Sequence, residues 1–345
     1  MISTLSFKAD PPQPYHTFSY HQKKAIKEGF RNPDLDVETQ SNIIKDTLFG
    51  LINLFEIPSD YHLILLKDKE LLYKTLISIV PDNIFVAGSS VFADILNKNS
   101  DEIVFLSDPE KDLLKVKFAR IPPLFIQDID LMTGRKALHN RLAEILDLNN
   151  LPFIHQDISY SSPTDPLDYD EIDSFCFQTG YGFGMSQDLV VWILRNDLFN
   201  KVISQIDPRY IDLDPGSSKT RRYFIQNKLD ISRIYILGMI VQDFLNRSVS
   251  IIRNEIKYKS IILYNSINDY PNLEPLVKDQ SFRSQNIICA KTNVENEKIL
   301  NFMSENRIEF DVLRAPDTST TIRIANYPLH SKEQMEYLAD LMVKL

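Results

Sequence analysis

The chain has 345 residues, of which 43% are hydrophobic and 25% charged, as is typical of a globular protein with a sizeable buried core. Its formal net charge of −9 gives no electrostatic reason to expect a nucleic acid or an anionic membrane as partner. No stretch is apolar enough to span a bilayer and no basic leader opens the chain, so we expect a cytoplasmic protein.

The first two-thirds of the chain alternate between strand and helix patterns. After an extended arm at 10–20, apolar spacing predicts a helix at 39–58 that ends before Pro58. The predicted strands that follow are 61–66, 83–90, 101–106, 122–129, 151–159, 172–179 and 189–195, and the predicted helices are 69–80, 91–99 and 135–148. This alternation favours an α/β domain built on a mostly parallel sheet.

The last third has a different pattern. A long helical stretch from about Leu229 runs out of the α/β domain, and a small α+β domain is predicted after it. Its elements are a strand at 286–292, a helix at 296–306, a strand at 320–326 and a final helix at 331–345. We therefore divide the chain into a large α/β domain at 16–240 and a second unit, which combines the N-terminal arm at 1–15 with the small domain at 241–345.

Cysteine and histidine give no sign of a metal site. Cys176 and Cys289 are isolated, and the six histidines are scattered without metal-ligand spacing. We expect two buried thiols of a reducing compartment and no metal site.

One loop concentrates the backbone freedom of the chain. Only nine glycines occur in 345 residues, and three of them stand in "GYGFG" at 180–184, between two predicted strands. Glycine suits a positive φ or a close approach of backbone to another group, so this loop is either a tight hairpin or a candidate site.

Four stretches in collinear order carry a resemblance to one enzyme family. They are "LFEIPSDYHLILL" at 54–66, "DEIDSFCFQT…VVWIL" at 170–194, "SFRSQNIICAKT" at 281–292 and "TTIRIANYPLHSKEQMEYLADLM" at 320–342. The chain resembles the fold-type I enzymes that use pyridoxal phosphate (PLP), in particular the class V aminotransferases related to phosphoserine aminotransferase. The resemblance implies that fold, with a mostly parallel sheet in a large domain and a small C-terminal α+β domain.

The resemblance also implies a lysine in the glycine-rich loop, where the family holds PLP as a Schiff base. A gapless match puts Tyr181 at that position, and a small slip puts Thr179 or Gln178 there. No residue between Lys136 and Lys201 is a lysine, so we expect no covalent PLP. Tyr181 is then either an acid or base of another chemistry or a packing residue.

Other family positions are retained unevenly. Asp157 matches the aspartate that pairs with the pyridinium nitrogen, Arg323 matches the arginine that grips a substrate carboxylate, and Ser89 and Thr133 match cofactor contacts. Arg323 has an equally weighted interpretation as an ion-paired arginine at a domain boundary.

The cofactor-phosphate segment departs further from the family. It corresponds to "LLKDKELLY" at 65–73, where Asp68 and Glu70 would repel a phosphate and Lys67 and Lys69 offset this only in part.

Three hypotheses follow. The first is a degenerate class V aminotransferase-like protein that acts as a binding or dimer-partner protein, as a homodimer or as a heterodimer with a catalytic paralogue. The alternative is an enzyme of this fold that binds PLP or pyridoxamine phosphate (PMP) noncovalently or uses other chemistry. A small anionic ligand is a further candidate partner. An ordinary transaminase would need a relocated amine, for which Lys219 is the nearest candidate.

Overall fold

The structure is a computed structural model of the chain. It describes residues 4–9, 37–79, 84–87, 103–106, 123–137, 153–185, 189–207, 211–212, 223–226, 228–314 and 320–345. The predicted helix at 91–99, most of the one at 135–148 and the arm at 10–20 lie outside these residues.

Within these ranges the chain forms seven α-helices and seventeen strands. The helices are α1 (Val37–Leu54), α2 (Lys69–Ser78), α3 (Asn196–Gln205), α4 (Ile231–Arg247), α5 (Val249–Asp269), α6 (Asn296–Asn306) and α7 (Lys332–Met342). The strands are β1 (Leu5–Ser6), β2 (Tyr61–Leu66), β3 (Ile84–Ala87), β4 (Ile103–Leu106), β5 (Leu124–Gln127), β6 (Ile129–Asp130), β7 (Arg135–Lys136), β8 (Ile154–Asp157), β9 (Ser174–Gln178), β10 (Val190–Arg195), β11 (Ile211–Asp212), β12 (Tyr223–Gln226), β13 (Leu273–Pro275), β14 (Ile287–Thr292), β15 (Ile308–Glu309), β16 (Asp311–Arg314) and β17 (Thr320–Ala325).

A nine-stranded sheet forms the centre of the molecule. Its strand order is β11-β12-β2-β10-β9-β8-β5-β3-β4. All neighbours from β9 to β4 are parallel, as are β12 and β2, whereas β10 runs antiparallel to both β2 and β9. The expected α/β fold with a mostly parallel sheet is therefore confirmed. Because β2 and β8 point the same way, their carboxyl ends lie at the same edge of the sheet.

Helices cover both faces of this sheet. On one face, apolar residues of α1 and α4 pack on Leu63, Val191 and Phe177 of the central strands. On the other face, residues of α2 and α3 pack on Ile64 and Trp192. The near-continuous apolar strands follow from burial on both faces, which is typical of parallel sheets.

A four-stranded antiparallel sheet, ordered β13-β14-β17-β16, forms the C-terminal part with α5, α6 and α7. Strand β1 pairs in parallel with β15, so residues near the N-terminus join this part of the fold. The predicted domain boundary at residue 240 falls within α4, and that division stays a prediction.

Two predicted elements differ from the structure. The long helical stretch is interrupted at Ser248, whose φ of 68° separates α4 from α5. Arg135 and Lys136, predicted as the start of a helix, instead pair with β6 in a short hairpin. Within the described ranges, none of the helices has both the length and the apolar character needed to cross a bilayer.

Candidate functional site

Asp157 is the last residue of β8 and is 2% exposed. Its Oδ1 accepts hydrogen bonds from the backbone N–H and the hydroxyl of Ser159, at 3.1 and 2.6 Å. Its Oδ2 accepts from the hydroxyl of Tyr73 at 3.0 Å and from the ammonium group of Lys69. Both oxygens of this buried carboxylate are therefore bonded by groups of the chain itself.

Lys69 reaches Asp157 from the neighbouring part of the same sheet edge. It is the first residue of α2, which begins three residues after β2, and its Nζ also donates to the hydroxyl of Ser159 at 3.0 Å. The Lys69 side chain is only 15% exposed. Because the carboxyl ends of β2 and β8 meet at one edge, a long side chain at the start of α2 spans the strands between them.

The ion pair between Lys69 and Asp157 fixes the charge of both groups. Burial alone would lower the pKa of Lys69, but the Asp157 carboxylate raises it above its ordinary value. Burial would raise the pKa of Asp157, but the charge and hydrogen bonds of Lys69 hold it below its ordinary value. Lys69 is therefore an ammonium and Asp157 a carboxylate, and the centre is neutral as a whole.

Neutral polar groups surround this pair on the side toward the sheet. Burial and the nearby carboxylate raise the pKa of the Tyr73 phenol and the Cys176 thiol well above their ordinary values. Burial lowers the pKa of His155 to about 3, and its Nδ1 lies 2.8 Å from the hydroxyl of Ser174. We conclude that these groups carry no charge near neutral pH.

The N-terminus of α2 is capped by the chain itself. The Asp68 carboxylate accepts the backbone N–H of Glu70 at 3.0 Å, and Glu70 forms an ion pair with Lys74. A helix N-terminus is a general anion-binding position, and here a carboxylate of the protein already occupies it. Asp68 and Glu70, which are predicted to repel a phosphate, therefore lie at the N-terminus of α2, where Asp68 already serves as the cap.

The glycine-rich loop lies against the turn that follows Asp157. A Cβ atom on Gly182 would come within 1.6 Å of the carbonyl oxygen of Ser162, and Gly184 has a φ of 65°. Gly182 is therefore required for a close approach of two backbone segments, and Gly184 for a left-handed backbone conformation.

Tyr181 packs within this loop rather than projecting as an isolated group. Its ring lies edge-on to Tyr160 with 4.7 Å between centroids, beside an apolar cluster that includes Leu131 and Tyr327. Its hydroxyl group makes a minor contribution to the raised pKa of Lys69.

The two alternative lysine positions are held by backbone contacts. Thr179 is fully buried and its Oγ1 accepts the backbone N–H of Leu189 at 2.9 Å, while the backbone N–H of Gln178 donates to Ser159 Oγ at 3.0 Å.

Arg323 and Thr133 are the remaining predicted site residues that the structure describes. Arg323 is 5% exposed, and its Nε donates to Asp311 Oδ2 at 3.0 Å while Nη1 donates to the carbonyl oxygen of Leu131 at 3.2 Å. Thr133 donates to Asp130 at 2.8 Å within the turn between β6 and β7. Ser89 and Lys219 lie outside the described residues, so their predicted roles stay predictions.

The structural role of Lys69 could not be derived from local sequence. The pattern places it beside the cofactor-phosphate segment, whereas the structure directs its ammonium group to Asp157. The signal is topological. Lys69 follows β2 and Asp157 ends β8, and these strands share a direction and an edge of the sheet, but the local sequence pattern does not reveal the strand order. In the part of the chain that the structure describes, no three metal-ligating side chains are grouped closely enough to hold an ion.

Comparison with known proteins gives likenesses in structure. A phosphoserine aminotransferase from Cytophaga hutchinsonii matches with a TM-score of 0.79 at 19% identity, over 99% of this chain and 98% of that one. A ureidoglycine-glyoxylate aminotransferase from Bacillus subtilis matches with a TM-score of 0.74 at 13% identity, over 100% of this chain and 93% of that one. A further phosphoserine aminotransferase structure, which records radiation damage of the Schiff base, matches with a TM-score of 0.72 at 14% identity, over 99% of each chain.

By sequence, no family model and no curated protein matches the chain. The structural likenesses nevertheless extend over nearly the full length of each partner, and they agree with the nine-stranded sheet and its strand directions. The chain has the fold of the type I PLP-dependent aminotransferases.

Proposed function

We propose that this chain is an aminotransferase-like protein that works without transaminase chemistry, as a binding or dimer-partner protein. The observation that carries the proposal is the buried ion pair between Lys69 and Asp157. In the family that the chain resembles, a carboxylate at this position pairs with the protonated ring nitrogen of PLP. Here a cation of the protein holds that carboxylate.

The ammonium group of Lys69 replaces the charge that a pyridinium would bring. Each oxygen of Asp157 already accepts two hydrogen bonds, from Ser159, Tyr73 and Lys69. A pyridinium could reach the carboxylate only by displacing Lys69 from a buried pair, which leaves an ammonium to be resolvated elsewhere. The residues as arranged therefore do not fit PLP.

The phosphate end supports the same conclusion. The Asp68 carboxylate occupies the N-terminus of α2 and would repel a phosphate dianion brought to that helix end.

Among the described residues around Asp157, no amine is free to form an imine. Residues 179–189, which join β9 to β10, contain no lysine. Lys69 is the nearest amine among the described residues around Asp157, and its raised pKa keeps it protonated. A protonated amine does not attack an aldehyde, so Lys69 does not take over the role of the missing lysine.

We further propose that the chain acts as a dimer in the cytoplasm. Sites of this fold are shared across a two-fold dimer in the family that it resembles, so an unmodified fold around an altered centre is consistent with a partner role. Native mass measurement distinguishes a homodimer from a heterodimer, because a lysine-bearing paralogue would co-purify only in the second case.

A second candidate function keeps the cofactor without the covalent link. The retained Asp157, with Ser159 beside it, is the observation that favours it, since a carboxylate there can hold PLP or PMP noncovalently. This function requires Lys69 to leave the carboxylate when the cofactor enters.

Equilibrium dialysis with PMP separates the two, because PMP has no aldehyde and reports noncovalent binding alone. We expect no saturable binding by the wild-type protein up to about 1 mM, the weak end of specific affinities. Lys69→Ser opens the carboxylate and should give saturable PMP binding with a Kd of about 0.1 mM or below, at least tenfold tighter than the wild-type limit, as expected for a gained charge-assisted bond. Lys67→Ser, an exposed neighbour in the same segment, is the matched control and should change nothing. Tight PMP binding by the wild-type protein would overturn the proposal in favour of the second function.

A further inference from the structure

A second polar centre lies on the opposite side of β8. A cavity of about 540 Å³ opens between the end of the central sheet, the turn after Asp157 and helix α5. Its polar lining includes Gln156, Asp128, Arg253 and Lys257, together with an ion pair between Lys136 and Asp165. Successive residues of a strand face opposite sides of a sheet, so Gln156 points away from the centre built on its neighbour Asp157. The volume is in the range of small-molecule sites, which is about 300–1,000 Å³.

Gln156 is the unusual residue of this cavity. It is 7% exposed, and within the described residues its side-chain amide has no hydrogen-bond partner. The amide is not among the fully enclosed polar groups that lack a partner, so it is open to the cavity and bonds either water or a ligand there. The amide of Gln156 lines the cavity, so a molecule in the cavity would supply the missing partners.

The cationic side of the cavity is also unsatisfied. Among the described residues, Arg253 makes one side-chain hydrogen bond, from Nε to the carbonyl oxygen of Thr164 at 2.8 Å, which leaves its two Nη nitrogens for another acceptor. Within the described ranges neither Arg253 nor Lys257 forms an ion pair with a carboxylate. By contrast, Lys136 and Asp165 neutralise each other at 2.7 Å. Two positively charged side chains, those of Arg253 and Lys257, therefore line one side of the cavity without a carboxylate partner among the described residues.

Asp128 completes the arrangement at the inner side. It is 4% exposed, and its two oxygens accept the backbone N–H groups of Ile129 and Ser161, at 2.8 and 2.9 Å. Burial raises its pKa to about 7, so the carboxyl group takes up a proton readily and can then donate to a hydroxyl.

We propose that this cavity binds a small hydroxylated organic acid, whose anionic group contacts Arg253 and Lys257 while a hydroxyl group bonds Gln156 and Asp128. A carboxylate and a phosphate share this anionic chemistry. The site goes beyond the proposed function because it uses none of the residues around Lys69.

Isothermal titration calorimetry on the full chain tests the site with four probes: sn-glycerol 3-phosphate, L-malate, inorganic phosphate and glycerol. We expect saturable binding of at least one hydroxylated acid and none of glycerol, which keeps the hydroxyls but lacks the anion. Preference between the first two probes distinguishes a phosphate ligand from a carboxylate ligand. Absence of saturable binding by both acids up to about 10 mM, beyond the millimolar limit of weak specific binding, would overturn the proposal.

Two variants assign the binding to this cavity. Arg253→Met should weaken either acid at least about tenfold, because it removes charge-assisted hydrogen bonds. Gln156→Leu should weaken the hydroxylated acid and leave the weaker binding of inorganic phosphate unchanged. Arg247→Met and Gln242→Leu, on the neighbouring helix α4 and outside the cavity lining, are the matched controls. Equal binding by Arg253→Met and Arg247→Met would place the ligand elsewhere and overturn the proposal.

Arg253→Met also covers the case in which Gln156→Leu fails to fold, because Arg253 is only half-buried. Lys67→Ser, at an exposed residue outside the cavity lining, should bind the acids as the wild-type protein does. If PMP binds to the wild-type protein while the acids still bind at the cavity, the proposed function fails and this inference stands.

Discussion

The two faces of strand β8 treat their buried polar groups in opposite ways. Asp157 has a hydrogen-bond partner on each oxygen, and every partner is a group of the chain. Its neighbour Gln156 is buried to a similar degree but has no side-chain partner among the described residues. A shared fold therefore does not determine which side of β8 is left open for a ligand. On the Asp157 side of β8, which resembles a cofactor site, groups of the chain itself occupy the carboxylate, and we call this side the closed face. The Gln156 side, the open face, keeps hydrogen-bonding groups without a partner among the described residues.

The greatest loss of stability is expected when the ion pair between Lys69 and Asp157 is broken. Lys69→Met or Asp157→Leu alone should each lower the free energy of unfolding by about 3–5 kcal/mol, because each leaves one buried charge without its partner. The double variant should regain most of this loss, since two apolar groups replace the pair. Urea denaturation at pH 7 measures all three.

The exposed pair of Lys74 and Glu70 in the same helix is the control. Its replacement by Met and Leu should leave the urea midpoint nearly unchanged, because exposed pairs contribute little. If the single variants at Lys69 and Asp157 behave like this exposed pair, the ion pair between Lys69 and Asp157 is not a buried pair.

The second effect is a pH dependence that separates the two faces. Burial holds the pKa of His155 and of His330 at about 3, below the unfolded value near 6.5, so each stabilises the folded state less as pH falls from 6.5. Asp128, with its pKa raised to about 7, acts in the opposite direction, because its folded form binds a proton that the unfolded form releases above about pH 4.

Between pH 4.5 and 6.5, Asp128 therefore offsets one of the two histidines. Asp128→Asn removes this offset, and stability should then fall with decreasing pH more steeply than in the wild type, by about 1.4 kcal/mol per pH unit. Denaturant titrations at several pH values compare the two slopes. Parallel slopes for the variant and the wild type would show that Asp128 does not take up a proton in this range.

A smaller effect concerns the loop that lies against the closed face. Gly182→Ala should destabilise the protein by about 1–3 kcal/mol, because its Cβ would overlap the backbone carbonyl of Ser162. Gly184→Ala should cost less, about 1 kcal/mol, since it meets its positive φ and the movable side chain of Leu329. Thermal unfolding measures both, and the reverse order would mean that the two segments do not approach as described.

The smallest effect is expected on the open face. Gln156→Leu should change the free energy of unfolding by less than about 1 kcal/mol, because it removes an amide that has no partner to lose. The contrast is Asn326→Leu, since the Asn326 amide donates to the carbonyl oxygens of Ile256 and Gln285 at 2.9 and 2.8 Å. That variant should cost about 1–3 kcal/mol, as expected when buried acceptors lose their donor. Equal losses in the two variants would imply an internal partner for Gln156.

Most of the fold could be predicted because buried strands and helices have a regular spacing of apolar residues in the sequence. The strand at 61–66 and the helix at 296–306 agree with the structure at both ends, since each follows a regular apolar spacing. The break at Ser248 could not be predicted, because apolar spacing continues on both sides and only the backbone φ departs from helix.

The site was harder to predict because its decisive contacts join distant parts of the chain. Asp157 was identified by its position in a familiar strand, but Lys69 is 88 residues away and its partner depends on strand order. The sequence around Gln156 does not indicate a ligand site, because an amide side chain in an apolar strand gives the same sequence pattern whether or not it has hydrogen-bond partners.

The most direct test of the central claim is borohydride reduction after incubation with one equivalent of PLP, followed by the visible spectrum, intact mass and peptide mapping. We predict that the wild-type protein shows no reducible imine band and no stoichiometric added mass, because Lys69 stays protonated on Asp157 and residues 179–189 offer no amine. The variant Lys69→Ser with Tyr181→Lys, which frees the carboxylate and restores an amine, is the positive comparison. A single stoichiometric adduct on Lys69 or Lys219 of the wild-type protein would contradict the proposal that the chain forms no imine with PLP, and would favour a PLP-dependent transaminase instead.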